Sequence, residues 1–143
     1  MAHNAIFNRI QQSFQRSGFL KNIGAELVRA EKGLCEVVLP HSSRIANQQD
    51  FFHGGAIGAL SDTTAGYASL TIAPEGMEVT TVEYKINFLN NMQGGELRAI
   101  GKVIKPGKRV MVCSAEIFHV DGEGKSTLCA VTQQTMMAVP KNY

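Results

Sequence analysis

The sequence predicts an α+β fold in which one antiparallel sheet wraps around a long central helix, with a short N-terminal helix beside them. Three observations carry this. Residues 54 to 73 (GGAIGALSDTTAGYASLTIA) hold no Lys, Arg or Glu and one acid, Asp62, so a helix there has no solvated face and must be enclosed. Alternating runs follow at Val79 to Leu89, Glu96 to Ile104, Arg109 to Val120 and Ser126 to Ala138, with Pro106-Gly107 and Asp121-Gly122 as turns between the last three. Finally, 143 residues at 44% hydrophobic and 18% charged suit about one domain, 1–143, with a core that needs no staple.

Ile6, Ile10 and Phe14 recur at i, i+4 and i+8 with Phe7 beside them, which predicts the N-terminal helix, with Asn4 as its N-cap and Gly18 as its end. Ala25 to Leu39 reads as two strands around the Glu31-Lys32-Gly33 turn. Cys35, Val37 and Leu39 share one face of the second strand, and Pro40 stops the pairing. Residues 41 to 53 (HSSRIANQQDFFH) are a polar loop until Phe51 and Phe52, and the buried helix starts at Gly54. After the Pro74-Glu75-Gly76 break, simple alternation puts Val82, Tyr84, Ile86 and Phe88 on one face of the first long strand.

Several classes of function are excluded at this level. The net charge of +2, with no basic run longer than Lys108-Arg109, gives no dense stripe for nucleic acid. No unbroken apolar span reaches the length of a membrane helix. Cys35, Cys113 and Cys129 are odd in number, widely spaced and outside any CxxC, so we expect reduced packing thiols. Because MAHNAIFNRIQQSF has no continuous apolar region of a secretory signal, the expected location is cytoplasmic. No phosphate loop, GxGxxG or GxSxG is present, and His3, His41, His53 and His119 have neither HExxH spacing nor an adjacent carboxylate cluster. Neither a metal nor a cofactor is expected.

The chemistry therefore concentrates in Asn47 to Asp62. Gly54 and Gly55 open the buried helix, where backbone N–H groups at the positive end of the helix dipole can stabilise a carbonyl oxygen that gains negative charge. Asp62 is a carboxylate in an otherwise uncharged buried helix, which is costly unless it is paired or used as a base or nucleophile. The plainer alternatives are a tight turn capped or packed by His53, and a structural acid accepting hydrogen bonds from Thr63, Thr64 or another hydroxyl. Gly55 and Asp62 lie seven residues apart, hence about 10 Å along the axis, too far to serve one reacting carbon from one helix. Two antiparallel copies about a two-fold axis would make two composite sites, so a homodimer or a dimer of dimers is expected.

The residues resemble those of the hotdog-fold acyl-CoA thioesterases of the phenylacetate-degradation type. Most of the chain follows that family's element order. Asn47 lies six residues before His53 of the His53-Gly54-Gly55 turn, and Asp62 lies nine after it, each where the family's pattern has a matching residue. The resemblance implies that the Gly54 N–H polarises a thioester carbonyl with help from Asn47, and that Asp62 of the partner subunit acts on water as base or attacks as nucleophile. It implies that Thr81 lies near the water, that His53 orders the turn, and that Lys105, Lys108 and Arg109 meet the phosphates of coenzyme A. Some relatives place a hydroxyl four residues after the acid, where this chain has Gly66. Tyr84, Phe88, Met92 and Met111 are candidates for an apolar acyl tunnel, or for plain core.

The activity implied is hydrolysis of acyl-CoA to a carboxylic acid and free coenzyme A. Two other readings fit the same residues. One is an acyl-thioester dehydratase or hydratase using His53 with Asp62; the other is a non-catalytic acyl-CoA-binding module, of the kind that usually carries a DNA-binding domain for which 143 residues leave little room.

Overall fold

The computed structural model describes residues 2–143, with the backbone alone at His3. Helices α1 (Ala2–Arg16) and α2 (Gly18–Ile23) precede the hairpin β1 (Glu26–Glu31) and β2 (Leu34–Pro40); α3 (Gly54–Leu70) leads into β3 (Met77–Phe88), β4 (Glu96–Lys105), β5 (Val110–Val120) and β6 (Ser126–Pro140). The strands form one six-stranded sheet in the order β1-β2-β4-β5-β6-β3, antiparallel throughout, and α3 packs against all six strands. The expected architecture is the observed one.

The beginning of the chain differs in detail. The first helix starts at Ala2, so Asn4 lies within its first turn and does not cap it. Gly18 does not end a helix but opens α2, because the Ser17 hydroxyl accepts from Leu20 N–H at 3.3 Å and caps a new turn. Gly24, at φ 80°, closes α2 in the left-handed conformation that suits glycine. Arg9 then ties α1 to the far end of α3: its guanidinium donates to the carbonyls of Ala73, Pro74 and Met77 at 2.8, 2.8 and 3.2 Å.

Helix α3 is enclosed because its polar residues satisfy themselves. Ser61, Thr64 and Ser69 are fully buried, and each hydroxyl donates back to a carbonyl of the preceding turn, as does that of Thr71 just after the helix. The helix sits on the sheet at backbone distance. A Cβ on Gly101 of β4 would lie 2.5 Å from the Thr64 carbonyl oxygen, so only glycine admits this approach. Cys35, Val37 and Leu39 of β2, Leu97 and Ala99 of β4, and Met111, Cys113 and Ile117 of β5 line the inward face at 0% exposure. Met111 is therefore core and not tunnel wall.

Burial sets the chemistry of the thiols. All three cysteines are free and buried, and loss of solvent pushes Cys35 up to about 12 and Cys113 and Cys129 to about 11. At neutral pH they are protonated and poor nucleophiles. Replacing any one by Ala or Ser should lower the melting temperature while turnover per folded molecule stays near wild type. Lost activity at an unchanged melting temperature would assign that cysteine to the chemistry.

Strand β3 departs from simple alternation. Its pairing with β6 runs Thr81↔Met136, then Glu83↔Thr135 and Tyr84↔Gln134, so Val82 is an extra, bulged residue. The bulge reverses the facing of the strand, and Thr81 and Tyr84, three apart, both point toward α3. Strand β3 is also a sheet edge, and Val82, Tyr84, Phe88 and the following Leu89 are 43–58% exposed along it.

Candidate functional site

The loop before α3 is polar yet ordered. Ile45 and Phe52 bury, Ala46 bridges Phe52, and the His53 and Phe52 N–H groups donate to the carbonyls of Ile45 and Met92. Asn47 shapes its middle: the side-chain Oδ1 accepts from the N–H groups of Gln49 and Phe51 at 2.9 and 3.1 Å. Because Oδ1 is occupied, the Nδ2 end of the amide is the part free to donate to a ligand.

At the start of α3, His53 is the N-cap, and its Nδ1 accepts from Gly55 N–H at 2.8 Å. A neutral ring with Nδ1 accepting carries its proton on Nε2. Of the backbone N–H groups expected to face a carbonyl oxygen at the helix start, that of Gly55 is therefore taken by the cap. Ala56 and Ile57 donate to the His53 carbonyl, which leaves the Gly54 N–H as the amide of this turn with no acceptor among the described residues. The Phe88 ring stands over Gly54, 3.4 Å from where a Cβ would lie, and the Tyr84 hydroxyl stands 3.2 Å from the equivalent point on Gly58. The inward face of β3 thus covers α3 from Gly54 to Gly58.

Asp62 lies eight residues further on, about 12 Å along the helix axis from Gly54. It is half-buried. Its Oδ1 accepts from the Thr81 hydroxyl at 2.6 Å and from Gln134 Nε2 at 3.1 Å. Thr63 and Thr64 do not bond it; Thr64 bonds back to Leu60. Beside Asp62 is a cavity of about 200 Å³, bounded by α1, α2 and β3 and lined by Ser13, Phe19, Tyr67, Glu78 and Thr81 among others. Burial pushes the Tyr67 phenol up to about 12, so it stays protonated, and Ser13 donates to its oxygen. Gly66 does not leave a gap where a hydroxyl is missing, for the Met136 methyl lies 3.2 Å from where its Cβ would be.

The structure therefore joins Asp62 to Thr81, and sets Gly54, Gly55 and His53 together at the helix start. Within one chain it does not bring these two groups to one another. Lys105, Lys108 and Arg109 are exposed on the β4–β5 turn at the opposite end of α3: Val103 beside that turn donates to the Gly33 carbonyl, and Gly33 N–H donates to Thr71. Gln134 is the site residue missed from the sequence, where it is a polar residue on the inward, otherwise mostly apolar face of β6. Among the described residues no three His, Cys, Asp or Glu side chains group as metal ligands would. No helix there is long and apolar enough to cross a membrane.

The family model described as "Thioesterase superfamily" matches residues 49–125, a segment that contains the Gly54 turn, Asp62 and Thr81. The chain belongs to the thioesterase superfamily. It is similar to a Saccharolobus solfataricus protein whose name carries a suspected esterase activity, 33% identical over 118 residues, covering 82% of this chain and 79% of that one. It is also similar to the 1,4-dihydroxy-2-naphthoyl-CoA hydrolase of Listeria monocytogenes, 30% identical over 113 residues, 78% of this chain and 89% of that one. Among solved structures, a thioesterase family protein from Silicibacter pomeroyi superposes with a TM-score of 0.91 at 28% identity, covering 95% of this chain and 99% of that one. The hotdog fold of this thioesterase is thus the one expected from the resemblance, and its class is that of the thioester hydrolases.

Proposed function

We propose that this thioesterase hydrolyses acyl-CoA thioesters at composite sites, each built from the Gly54 turn of one chain and Asp62 of the partner subunit. The observation that carries the reading is a free backbone N–H at the positive end of a buried helix, together with a half-buried carboxylate held by hydroxyl and amide donors further along the same helix. The names of two relatives, an acyl-coenzyme A thioesterase of Escherichia coli and the Listeria hydrolase, support acyl-CoA as the substrate class.

In this mechanism the thioester carbonyl oxygen accepts from the Gly54 N–H and the Asn47 amide. Asp62 of the partner subunit takes a proton from water as the water oxygen bonds to the carbonyl carbon. Charge develops on the carbonyl oxygen, where the two donors stabilise it. As the carbonyl re-forms, the carbon–sulfur bond breaks, and the departing thiolate takes the proton held by Asp62. The Thr81 hydroxyl donates its hydrogen bond to Asp62 and offers its lone pairs to the same water. His53 orders the turn from its Nδ1.

The exposed apolar edge of β3 supports pairing with a second copy, since a long apolar edge left open invites another strand. A two-fold there sets the start of one α3 beside the later turns of the other. It also brings the Lys105, Lys108 and Arg109 turn of one chain toward the site of its partner, where these cations meet coenzyme A phosphates. The buried, unpaired thiols fit a reducing compartment such as the cytoplasm.

A thiol-release assay across short, medium, long and aryl acyl-CoAs tests the reading. Release of free coenzyme A with at least one class is the expected result. Conversion of the acyl group without thiol would point to a dehydratase or hydratase, and binding without turnover on every class would point to a binding module.

A further inference from the structure

We propose that Gln134 is a positioning residue that anchors one oxygen of the Asp62 carboxylate and leaves the other oxygen to act on water. The proposal rests on the reading of Asp62 as the base. Gln134 is 0% exposed, an unusual place for a glutamine. Its Nε2 donates to Asp62 Oδ1 at 3.1 Å and to the Asp62 main-chain carbonyl at 3.1 Å, so one amide grips the side chain and the backbone of the same residue. A further contact runs to Met136 Sδ at 3.0 Å.

The other donor to Oδ1 is Thr81, on the neighbouring strand. The register explains how the two converge: Met136 faces Thr81, the bulged Val82 intervenes, and Gln134 faces Tyr84, so donors from β3 and β6 reach the carboxylate together. With Oδ1 holding two hydrogen bonds, Oδ2 has none among the described residues and is the oxygen left for a water proton. The cost of the arrangement is visible. Gln134 Oε1 is buried and has no partner among the described residues, a condition it shares on this face with Thr132 Oγ1, while Ala130, Met136 and Ala138 leave no such group. An apolar side chain would serve packing better; the amide is there for its donor. Turning the amide over would set Oε1 against a carboxylate, so Asp62 fixes its orientation.

The test is a kinetic cycle on the intact protein, with thiol release as the readout. Gln134→Met keeps the volume and removes the donor. It should lower kcat about ten- to a hundredfold with KM within about twofold, because a loosened base costs rate and not binding. The melting temperature should hold or rise, opposite to the loss expected of a structural glutamine. In an Asp62→Asn background the same substitution should leave the residual kcat unchanged, since the group it positions as a base is already gone.

Gln134→Leu, which also lacks the donor and adds no charge beside Asp62, carries the same cycle if the Met variant does not fold. In a chain that keeps Gln134, its side-chain amide NMR signals should move on Asp62→Asn. A Gln134→Met enzyme with wild-type kcat, or one losing the same factor in both backgrounds, overturns the proposal. Wild-type kcat in Asp62→Asn would instead sink the base itself, which separates failure of this inference from failure of the mechanism beneath it.

Discussion

Asn in place of Asp62 should keep the fold, bind acyl-CoA about as well as wild type, and lower kcat by about two to four orders of magnitude, the scale of a lost general base. The shape survives because an Asn oxygen can still accept from Thr81 and Gln134, which hold Oδ1 at 2.6 and 3.1 Å. What disappears is the second oxygen, replaced by an NH₂ that cannot take a proton from water. Asp62→Glu should retain a fraction of the rate, since the charge remains but moves by one methylene. Steady-state thiol release with purified protein, checked for folding by melting temperature, decides the matter. Near-normal turnover in folded Asp62→Asn would end the mechanism.

Two impaired chains should make one active protein. An Asp62→Ala chain still presents its Gly54 turn and Asn47, and an Asn47→Ala chain still presents Asp62, so a mixed dimer contains one site with every group intact. Random exchange puts half of the dimers in mixed form, which restores about a quarter of wild-type activity. Gly54 and Asp62 stand about 12 Å apart along a single helix, a gap that no side-chain rotation closes. Sedimentation should show at least a dimer. An active monomer, or no recovery despite demonstrated subunit exchange, would remove the shared site.

Much of the fold is legible in the sequence. The uncharged run after His53 marked α3, and the alternation between turn formers marked β4, β5 and β6 to within a residue or two. The Gly54-Gly55 turn after His53 and the lone acid Asp62 stand out by residue type, Asn47 and Thr81 enter through the family resemblance, and the structure joins Asp62 to Thr81 by a hydrogen bond. What was hidden has physical reasons. Helix α2 is six residues long, too short to show a helical period, and its capping Ser17 was the one available signal. The bulge at Val82 adds a residue that alternation cannot register, so the shared facing of Thr81 and Tyr84 appears only with the pairing. Gln134 is a polar residue in a strand of mixed character, and its meaning depends on which face turns inward. The loss of the Gly55 donor to His53 is a matter of side-chain rotation, which composition does not encode.

The contact between Gly101 and the Thr64 carbonyl has a bearing on how this enzyme can diversify. With helix and sheet touching backbone to backbone, the layer between them has no slack for the tail of a substrate, and widening it would break the core. Space beside Asp62 opens sideways instead, under α2, where Phe19 is 56% exposed at the cavity rim. That short helix is held by a serine cap at one end and a glycine at the other, and it contributes Leu20 alone as a buried side chain. Changes there can reshape what fits without disturbing Asp62, Thr81 or Gln134. With Asp62 as the proposed base and the cavity under α2 as the proposed acyl pocket, selectivity and chemistry would sit on separate parts of the chain, and a lineage of such enzymes could trade one acyl group for another at small expense in stability.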